Sequence, residues 1–248
     1  MMGFPMPRHD EIHLYSFDLA DFTTDLSCYE NYLSTEELRR ADRFKGTEPR
    51  QQFLMSRWKL RTLLARYLDC TPEAVAICIG VNGKPSLANS PSPLCFNLAH
   101  SGSKLLCAFT RSHGVGIDME YMDTQRPVTR MAQLVFSPRE LADLQATETA
   151  AQAALFYRYW VRREACLKAA GGGFSLPWST DFDICGSYDS PHGVTINQNG
   201  FRFQVIDIAA PEHYCAAVAI TGHHPLQPKP LWMADTVTDY RGNKEYST

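Results

Sequence analysis

Hydrophobic and polar residues follow two patterns along this chain, the alternation of a strand and the spacing of an amphipathic helix. The two patterns recur in the same order in its two halves. Strand-like alternation comes first, at 13–19 and again at 116–122. A long amphipathic stretch with apolar residues at helical spacing follows each, at 50–68 and 153–171. Shorter strand-like segments close each half. This order of strand, helices and strands predicts an α+β fold, built as a pseudo-twofold duplication of two similar halves of about 100 residues.

Two helix-start signals set the offset of this repeat. Ser34 precedes Glu37 by three residues, and Ser137 precedes Glu140 in the same way, which is the capping-box pattern of a helix N-terminus. Pro138 adds the residue type favoured at the first helical position. The two serines are 103 residues apart, and the same offset aligns the strand-like and amphipathic segments. The duplication is therefore predicted to extend over most of the chain.

Turn signals and polar stretches mark the predicted boundaries. Asn82-Gly83 and Asn199-Gly200 are typical of hairpin turns. We expect an N-terminal half at 1–112, a C-terminal half at 113–223, and a loosely held, polar, proline-bearing tail at 224–248. The closing strands are predicted at 74–80, 94–99, 105–110, 181–185, 201–208 and 214–220.

The composition is typical of a globular protein. Of 248 residues, 44% are hydrophobic and 21% are charged, which argues against a disordered, collagen-like or coiled-coil chain. The apolar runs are too short for a signal peptide or a membrane span, so we expect a cytoplasmic protein without membrane contacts. The eight cysteines form no C-x-x-C motif and lie mostly in apolar segments, which indicates reduced core thiols rather than disulfides or a zinc site.

Charge is unevenly distributed along the chain. The formal net charge of −3 disfavours a wholly basic nucleic-acid binder, but residues 35–66 hold nine basic side chains against four acidic ones. Such a segment attracts an anionic partner, whether a nucleic acid, a phosphorylated cofactor or an acidic protein. Most of these side chains are expected to be the solvated faces of two helices, with one or two reaching a ligand.

Two acidic residues of one predicted strand are candidates for a metal site. Asp118 and Glu120 are two residues apart, so their side chains share one face of the strand, and Gly116 before them lets a ligand approach. Paired carboxylates suit a hard cation such as Mg²⁺. The alternative is a half-exposed strand with a solvated acidic face.

A third carboxylate lies on the second long helix. Glu164 follows Trp160 by four residues and precedes Lys168 by four, which places it on an apolar stripe that faces inward. Arg162 and Arg163 point elsewhere. Burying a carboxylate requires a positive partner, and either Lys168 or a metal could provide it. The alternative is an ordinary surface pair between Glu164 and Lys168.

Two further segments offer groups that could bind phosphate. His100 and Ser101 end a predicted strand and lead into a glycine-bearing loop, which is a suitable cradle for phosphate oxygens. Without a G-x-S-x-G motif they do not indicate a hydrolase, and the alternative is a turn histidine without a ligand. Lys84, followed by Pro85, offers one cation on a stiff loop.

Taken in order, these motifs resemble the Sfp-type 4′-phosphopantetheinyl transferases, over a stretch from about Leu33 to Pro177. The family is also a pseudo-dimer of two α+β halves, and the resemblance implies an active site in the cleft between them. The motifs that carry the resemblance are Gly83-Lys84-Pro85, Phe96-Asn97-x-x-His100-Ser101, Gly116-Ile117-Asp118-x-Glu120, Phe136-Ser137 and Trp160-x-x-x-Glu164-x-x-x-Lys168.

The resemblance implies transfer of the phosphopantetheine arm of coenzyme A to a serine of an acyl carrier protein or a peptidyl or aryl carrier domain. Adenosine 3′,5′-bisphosphate is released, and Mg²⁺ is required, with Mn²⁺ as an alternative. Asp118, Glu120 and Glu164 are implied as metal ligands. The implied catalytic residues are Glu164, Lys168 and His100. We expect a monomer that binds neither nucleic acid nor membrane.

The resemblance also implies a coenzyme A site. Arg40 matches a basic position that meets the 3′-phosphate, and Lys84 with Pro85 lines the nucleotide site. The remaining implied coenzyme A residues are His100, Ser101 and Lys168, with His100 and Lys168 on the pyrophosphate. Arg43 and Arg57 are further candidates from the basic segment.

The chain departs from the family pattern at two positions. Arg163 stands where the family usually has lysine, which puts a proton-transfer role for that position in doubt. Ala99 stands where serine is common, so a hydroxyl contact is lost. The main rival is another Mg²⁺-dependent enzyme, a phosphodiesterase or nuclease that uses the same carboxylates. A nucleic-acid-binding module is disfavoured because no aromatic residues are interleaved with the basic ones on a sheet face.

Overall fold

The computed structural model describes residues 4–21, 27–88, 91–171, 182–185, 194–198, 201–222 and 229–233. The chain groups into two compact units. Residues Leu19–Val75 form the body of the first, and Met6–Asp18 with Ala76–Leu231 form the second. The predicted turn at 199–200, the start of the predicted strand at 181 and most of the predicted tail lie outside the described residues.

The first unit is helical. It contains α1 (Ser27–Glu30), α2 (Thr35–Ala41) and α3 (Thr47–Leu68), with 3-10 turns at Leu19–Asp21 and Pro72–Ala74. The predicted capping box is present at the start of α2, where the Ser34 side chain accepts from the Glu37 backbone and the Glu37 carboxylate accepts from the Ser34 N–H. The Glu37 carboxylate also binds the buried guanidinium of Arg61 on α3, which ties the two helices together.

The second unit combines three helices with antiparallel sheets. Its strands are β1 (Glu11–Asp18), β2 (Ile77–Ile79), β3 (Pro85–Leu87), β4 (Leu94–Ser101), β5 (Lys104–Arg111), β6 (Val115–Tyr121), β7 (Val194–Gln198), β8 (Phe201–Asp207), β9 (Tyr214–Thr221) and β10 (Lys229–Trp232). Its helices are α4 (Val128–Val135), α5 (Pro138–Ala146) and α6 (Thr149–Ala170). The strand orders are β10-β1-β5-β4, β6-β9-β8-β7 and β2-β3.

Alternating apolar side chains build the core of this unit. One cluster packs α6 against the second sheet, through residues such as Phe156, Ala165 and Ala217. Another joins strands of the two larger sheets, through residues such as Leu14, Leu106 and Ile117. The second predicted capping box, Ser137 with Glu140, opens α5. The α+β class is confirmed by this arrangement.

The two larger sheets are paired in a similar way. In each, the first strand of a predicted half pairs with the last: β1 with β5, and β6 with β9. The two 22-residue helices, α3 and α6, follow the two capping boxes. Pseudo-twofold duplication and the boundaries at 112 and 223 stay predictions, because both sheets belong to the same compact unit.

Some local expectations need correction. Ile77–Ile79 is the only part of the predicted strand 74–80 that is a strand, because Pro72–Ala74 forms a 3-10 turn. The predicted loose tail contains β10, where the Lys229 N–H donates to the Asp10 carbonyl. All eight cysteines are free; Cys107 and Cys166 are buried, and Cys95, Cys185 and Cys215 pack partly buried against the apolar clusters, whereas Cys78 is exposed. Within the described part of the chain, no helix is both long and apolar enough to cross a membrane.

Candidate functional site

The two acidic residues of β6 lie at different depths. Asp118 is buried, with 5% of its surface exposed, and Glu120, two residues further on, is partly buried. The strand is held by its pairing with β9, in which Asp118 lies opposite Ala217. A solvated acidic face is therefore excluded for Asp118. Burial raises the pKa of its carboxyl above the ordinary value, and the nearby Lys168 ammonium partly offsets this rise.

Lys168 on α6 pairs with Asp118. Its Nζ lies 2.6 Å from Asp118 Oδ1 and also donates to the Ile117 carbonyl at 3.2 Å. The other carboxylate oxygen, Asp118 Oδ2, is buried and has no hydrogen-bond partner among the described residues. The structure thus has an ion pair between Lys168 and Asp118, where the alternative reading expected a surface pair between Lys168 and Glu164.

Glu164 lies one helical turn before Lys168 and is partly buried, as the apolar stripe predicts. Burial, followed by repulsion from Asp118, raises the pKa of Glu164 to about 7, while Lys168 acts in the opposite direction. The pKa of Glu120 is likewise raised by burial and by the charge of Asp118. The charge of Asp118 therefore disfavours ionisation of both Glu120 and Glu164.

The oxygen donors of this cluster fit a hard divalent cation. Mg²⁺ prefers carboxylate oxygens, and it would offset the negative charge of Asp118, which adds to burial in raising the pKa values of Glu120 and Glu164. The unpaired Asp118 Oδ2 is a buried acceptor that a cation would satisfy. In the described residues, no three His, Cys, Asp or Glu side chains are already gathered tightly enough to hold a metal ion.

Two side chains of β4, in the first predicted half, bind backbone N–H groups of β6, which is the edge strand of its sheet. Asn97 Oδ1 on β4 accepts from the Ile117 N–H at 2.9 Å. Ser101 Oγ, four residues along β4, accepts from the Tyr121 N–H at 3.0 Å and donates to Glu120 Oε2 at 3.3 Å. Asn97 was part of a motif that carries the resemblance but had no predicted role, and Ser101 was expected at coenzyme A. Asn97 and Ser101 are four residues apart on β4, and the N–H groups that they bind, those of Ile117 and Tyr121, are also four residues apart on β6. This equal spacing is the signal that the sequence offered.

His100 lies between these contacts on β4 and is exposed. Its charge contributes weakly to lowering the pKa of Asp118. Ala99 is buried in the apolar cluster that contains Ile117 and Met119. A methyl group at 99 therefore contributes to packing.

Lys84 does not lie free on its loop. Its Nζ donates to the Val115 carbonyl at 2.8 Å and to the carbonyls of Lys168 and Ala169 at the end of α6. Burial lowers the pKa of Lys84 to about 8. Pro85 begins β3 and is buried.

Arg40 lies on α2 of the first unit and is exposed. Its guanidinium lies over the Phe53 ring, 5.7 Å from the centroid, and the Arg57 guanidinium lies 5.2 Å from the same centroid. Arg43 is exposed just after α2.

The two arginines before Glu164 face away from the carboxylates, as predicted. Arg162 binds Asp207 through two nitrogens, at 2.6 and 2.8 Å. Arg163 forms a buried ion pair with Glu140 and donates to the Phe182 carbonyl at 2.7 Å. Arg163, where the family usually has lysine, is therefore a buried residue that pairs with Glu140 in the core.

Comparisons with known proteins identify the family of this chain. A sequence model of the 4′-phosphopantetheinyl transferase superfamily matches residues 114–219, which include β6, α6 and the three carboxylates. The 4′-phosphopantetheinyl transferase HetI of Nostoc sp. is 32% identical over 222 residues, covering 89% of this chain and 91% of that protein. The chain therefore belongs to the 4′-phosphopantetheinyl transferase superfamily and is an enzyme of that class.

Two further relatives match shorter stretches. The putative 4′-phosphopantetheinyl transferase slr0495 of Synechocystis sp. is 38% identical over 149 residues, covering 59% of this chain and 60% of that protein. The 4′-phosphopantetheinyl transferase Sfp of Bacillus subtilis is 29% identical over 150 residues, covering 60% of this chain and 65% of that protein.

Proposed function

We propose that this enzyme transfers the 4′-phosphopantetheine arm of coenzyme A to a serine of an acyl or peptidyl carrier protein. The reaction is Mg²⁺-dependent and releases adenosine 3′,5′-bisphosphate. The observation that carries the proposal is the buried Asp118 carboxylate, which pairs with the Lys168 ammonium through one oxygen and whose charge raises the pKa values of Glu120 and Glu164.

Asp118, Glu120 and Glu164 would hold the Mg²⁺ ion. When bound, the cation neutralises charge on the pyrophosphate of coenzyme A. The buried, unpaired Asp118 Oδ2 supports this assignment. A bound cation would favour the ionised forms of Glu120 and Glu164, which burial disfavours in its absence.

Glu164 is also suited to accept a proton. Its pKa of about 7 holds for the metal-free site, and a bound cation would lower it, so the ionised carboxylate is the form that would accept the proton. In the proposed step the serine oxygen bonds to the β-phosphorus, the bond to the bridging oxygen breaks, and the serine proton passes to Glu164. The electron pair of the broken bond stays on the departing adenosine bisphosphate.

Lys168 and His100 would contact the pyrophosphate. The Lys168 ammonium is partly exposed beside Asp118, so it can bind a phosphate oxygen and stabilise the charge on the leaving group. His100 is exposed at the end of β4 and can donate to a second oxygen. Ser101 remains a candidate contact for coenzyme A.

Arg40 would bind the 3′-phosphate, and Pro85 would line the nucleotide site, whereas the Lys84 ammonium donates to backbone carbonyls of β6 and α6. An exposed guanidinium is well suited to a terminal phosphate because it presents paired donors. The basic segment 35–66 would steer acidic carrier domains by electrostatic attraction. A single chain supplies all of these residues, so we expect a monomer.

The test is an assay of a panel of apo-carrier proteins with coenzyme A and Mg²⁺. Intact-mass measurement should show a gain equal to the phosphopantetheine arm, which is lost in EDTA and with a carrier whose acceptor serine is alanine. No gain with any carrier would refute the proposal. Hydrolysis of coenzyme A without a carrier would instead favour the phosphodiesterase alternative.

A further inference from the structure

The turn between β2 and β3 contacts the C-terminal end of α6. The Asn82 side-chain amide donates to the carbonyl of Gly171, the residue that caps α6, at 3.0 Å. Lys84 donates to the carbonyls of Lys168 and Ala169 in the last turn. The final carbonyls of a helix have no partner within it, and a cation there is favoured by the helix dipole. This turn therefore supplies a C-terminal cap from a distant part of the chain.

The helix end lies unusually close to β6. A Cβ on Gly116 would lie 2.0 Å from the Ala165 carbonyl oxygen and 2.3 Å from the Ala169 nitrogen. A Cβ on Gly114 would lie 2.8 Å from the Ala169 carbonyl oxygen. Backbone therefore packs directly on backbone, and no side chain fits between the two elements. Lys84 joins both, since the same ammonium also binds the Val115 carbonyl at 2.8 Å.

The position of this helix end sets the geometry of the carboxylates. Glu164 and Lys168 lie on the last turns of α6, whereas Asp118 and Glu120 lie on β6. A slide of α6 along the two glycines would change the separation of Glu164 from Asp118. Reacting groups must be held within a fraction of an ångström of their working positions, so such a slide would slow the reaction.

We propose that Lys84, with Asn82, is a positioning residue that clamps the end of α6 to β6 and so sets Glu164 and Lys168 against Asp118 and Glu120. This differs from a role in lining the nucleotide site, because the ammonium is directed at backbone carbonyls of two elements. The effect on turnover rests on the proposed function, whereas the clamp itself does not.

The first test measures the clamp without catalysis, by hydrogen–deuterium exchange of the full-length protein. In Lys84→Met, the amides in the last turn of α6 should exchange several-fold faster than in the wild type. Asn82→Ala should show a smaller increase. The control is Lys104→Met, which removes a lysine paired with Asp18 on another sheet and should leave these amides unchanged. Unchanged exchange in both Lys84→Met and Asn82→Ala would overturn the inference.

The second test separates positioning from nucleotide binding by steady-state kinetics, well below each variant's melting temperature. For Lys84→Met we expect kcat to fall by about tenfold or more, with KM for coenzyme A within about twofold of the wild type. A higher KM at unchanged kcat would overturn the inference in favour of a nucleotide contact. If Lys84→Met does not fold, Asn82→Ala provides the same comparison. Failure of the wild type to modify any carrier would count against the proposed function, while the exchange result would still decide the clamp.

Discussion

The Lys168 ammonium lies 2.6 Å from Oδ1 of Asp118 and leaves Oδ2 of the same carboxylate buried without a hydrogen bond. The protein therefore supplies a partner for one oxygen of this carboxylate and none for the other among the described residues. The two neighbouring carboxylates, Glu120 and Glu164, add negative charge at the same place. Lys168 is the cation that pairs directly with a carboxylate of this cluster, so the cluster can accept a further cation. Substitutions that remove one of these charges test this explanation.

Asp118→Asn should remove Mg²⁺ binding and transfer together. The amide keeps the size of the side chain but removes the charge, so we expect kcat to fall by about 100-fold or more. Isothermal titration should show Mg²⁺ binding in the wild type and little in the variant. The control is Asp18→Asn, which removes the partner of Lys104 on β1 and should keep both properties. Normal Mg²⁺ binding by Asp118→Asn would contradict the ligand assignment.

Glu164→Gln should stabilise the metal-free protein at high pH. Because the folded pKa of about 7 lies above the ordinary 4.5, the ionised form is disfavoured in the folded state. Stability from this group is fully present below pH 4.5 and is lost as the pH rises through 7. In EDTA at pH 8, the variant should gain up to about 3 kcal/mol in free energy of unfolding. At pH 5 the gain should largely disappear, and an equal gain at both values would refute the electrostatic explanation.

Ser101→Ala should weaken the site through Glu120. The hydroxyl lowers the pKa of Glu120, so its loss should raise that pKa further and reduce Mg²⁺ affinity. We expect a loss of about threefold to tenfold, from one hydrogen bond to a charged group. Ser101→Thr keeps the hydroxyl and should retain the wild-type affinity. If Ser101→Ala instead raises KM for coenzyme A at unchanged Mg²⁺ affinity, the serine binds the nucleotide directly.

Arg163→Met should destabilise the fold without changing the chemistry. The guanidinium pairs with Glu140, which has 0% exposure, and its removal leaves a buried charge without that partner. Breaking a buried pair costs about 3–5 kcal/mol, which denaturant unfolding would measure. At low temperature, kcat per folded enzyme should match the wild type. The control is Arg139→Met, which breaks the exposed pair with Asp183 and should have little effect on unfolding.

Arg40→Ala should distinguish coenzyme A from its 3′-dephospho form. If its guanidinium binds the 3′-phosphate, affinity for coenzyme A should fall by about tenfold, from a lost charge-assisted contact. Affinity for 3′-dephospho-coenzyme A should change little. Competition binding with both ligands provides the measurement, and equal losses would show that Arg40 does not contact this phosphate.

Features that depend on neighbouring residues in the chain were predictable from the sequence. The capping boxes at Ser34 and Ser137 involve residues three apart, and both are present at helix starts. The inward stripe that carries Glu164 follows from helical spacing. The spacing of Asp118 and Glu120 followed from the period of a strand, but their unequal burial did not, because depth depends on what packs against the sheet.

Tertiary structure decided which distant groups meet. The sequence by itself determined the two amphipathic helices, the strand with its carboxylates and the resemblance to a transferase family. It did not determine that Lys168 pairs with Asp118, that Arg163 pairs with Glu140, or that the Lys84 ammonium binds the end of α6. These contacts join residues 23 to 84 positions apart in the chain. Local periodicity carries no information about the register between such segments, which is set by how α6 packs on β6.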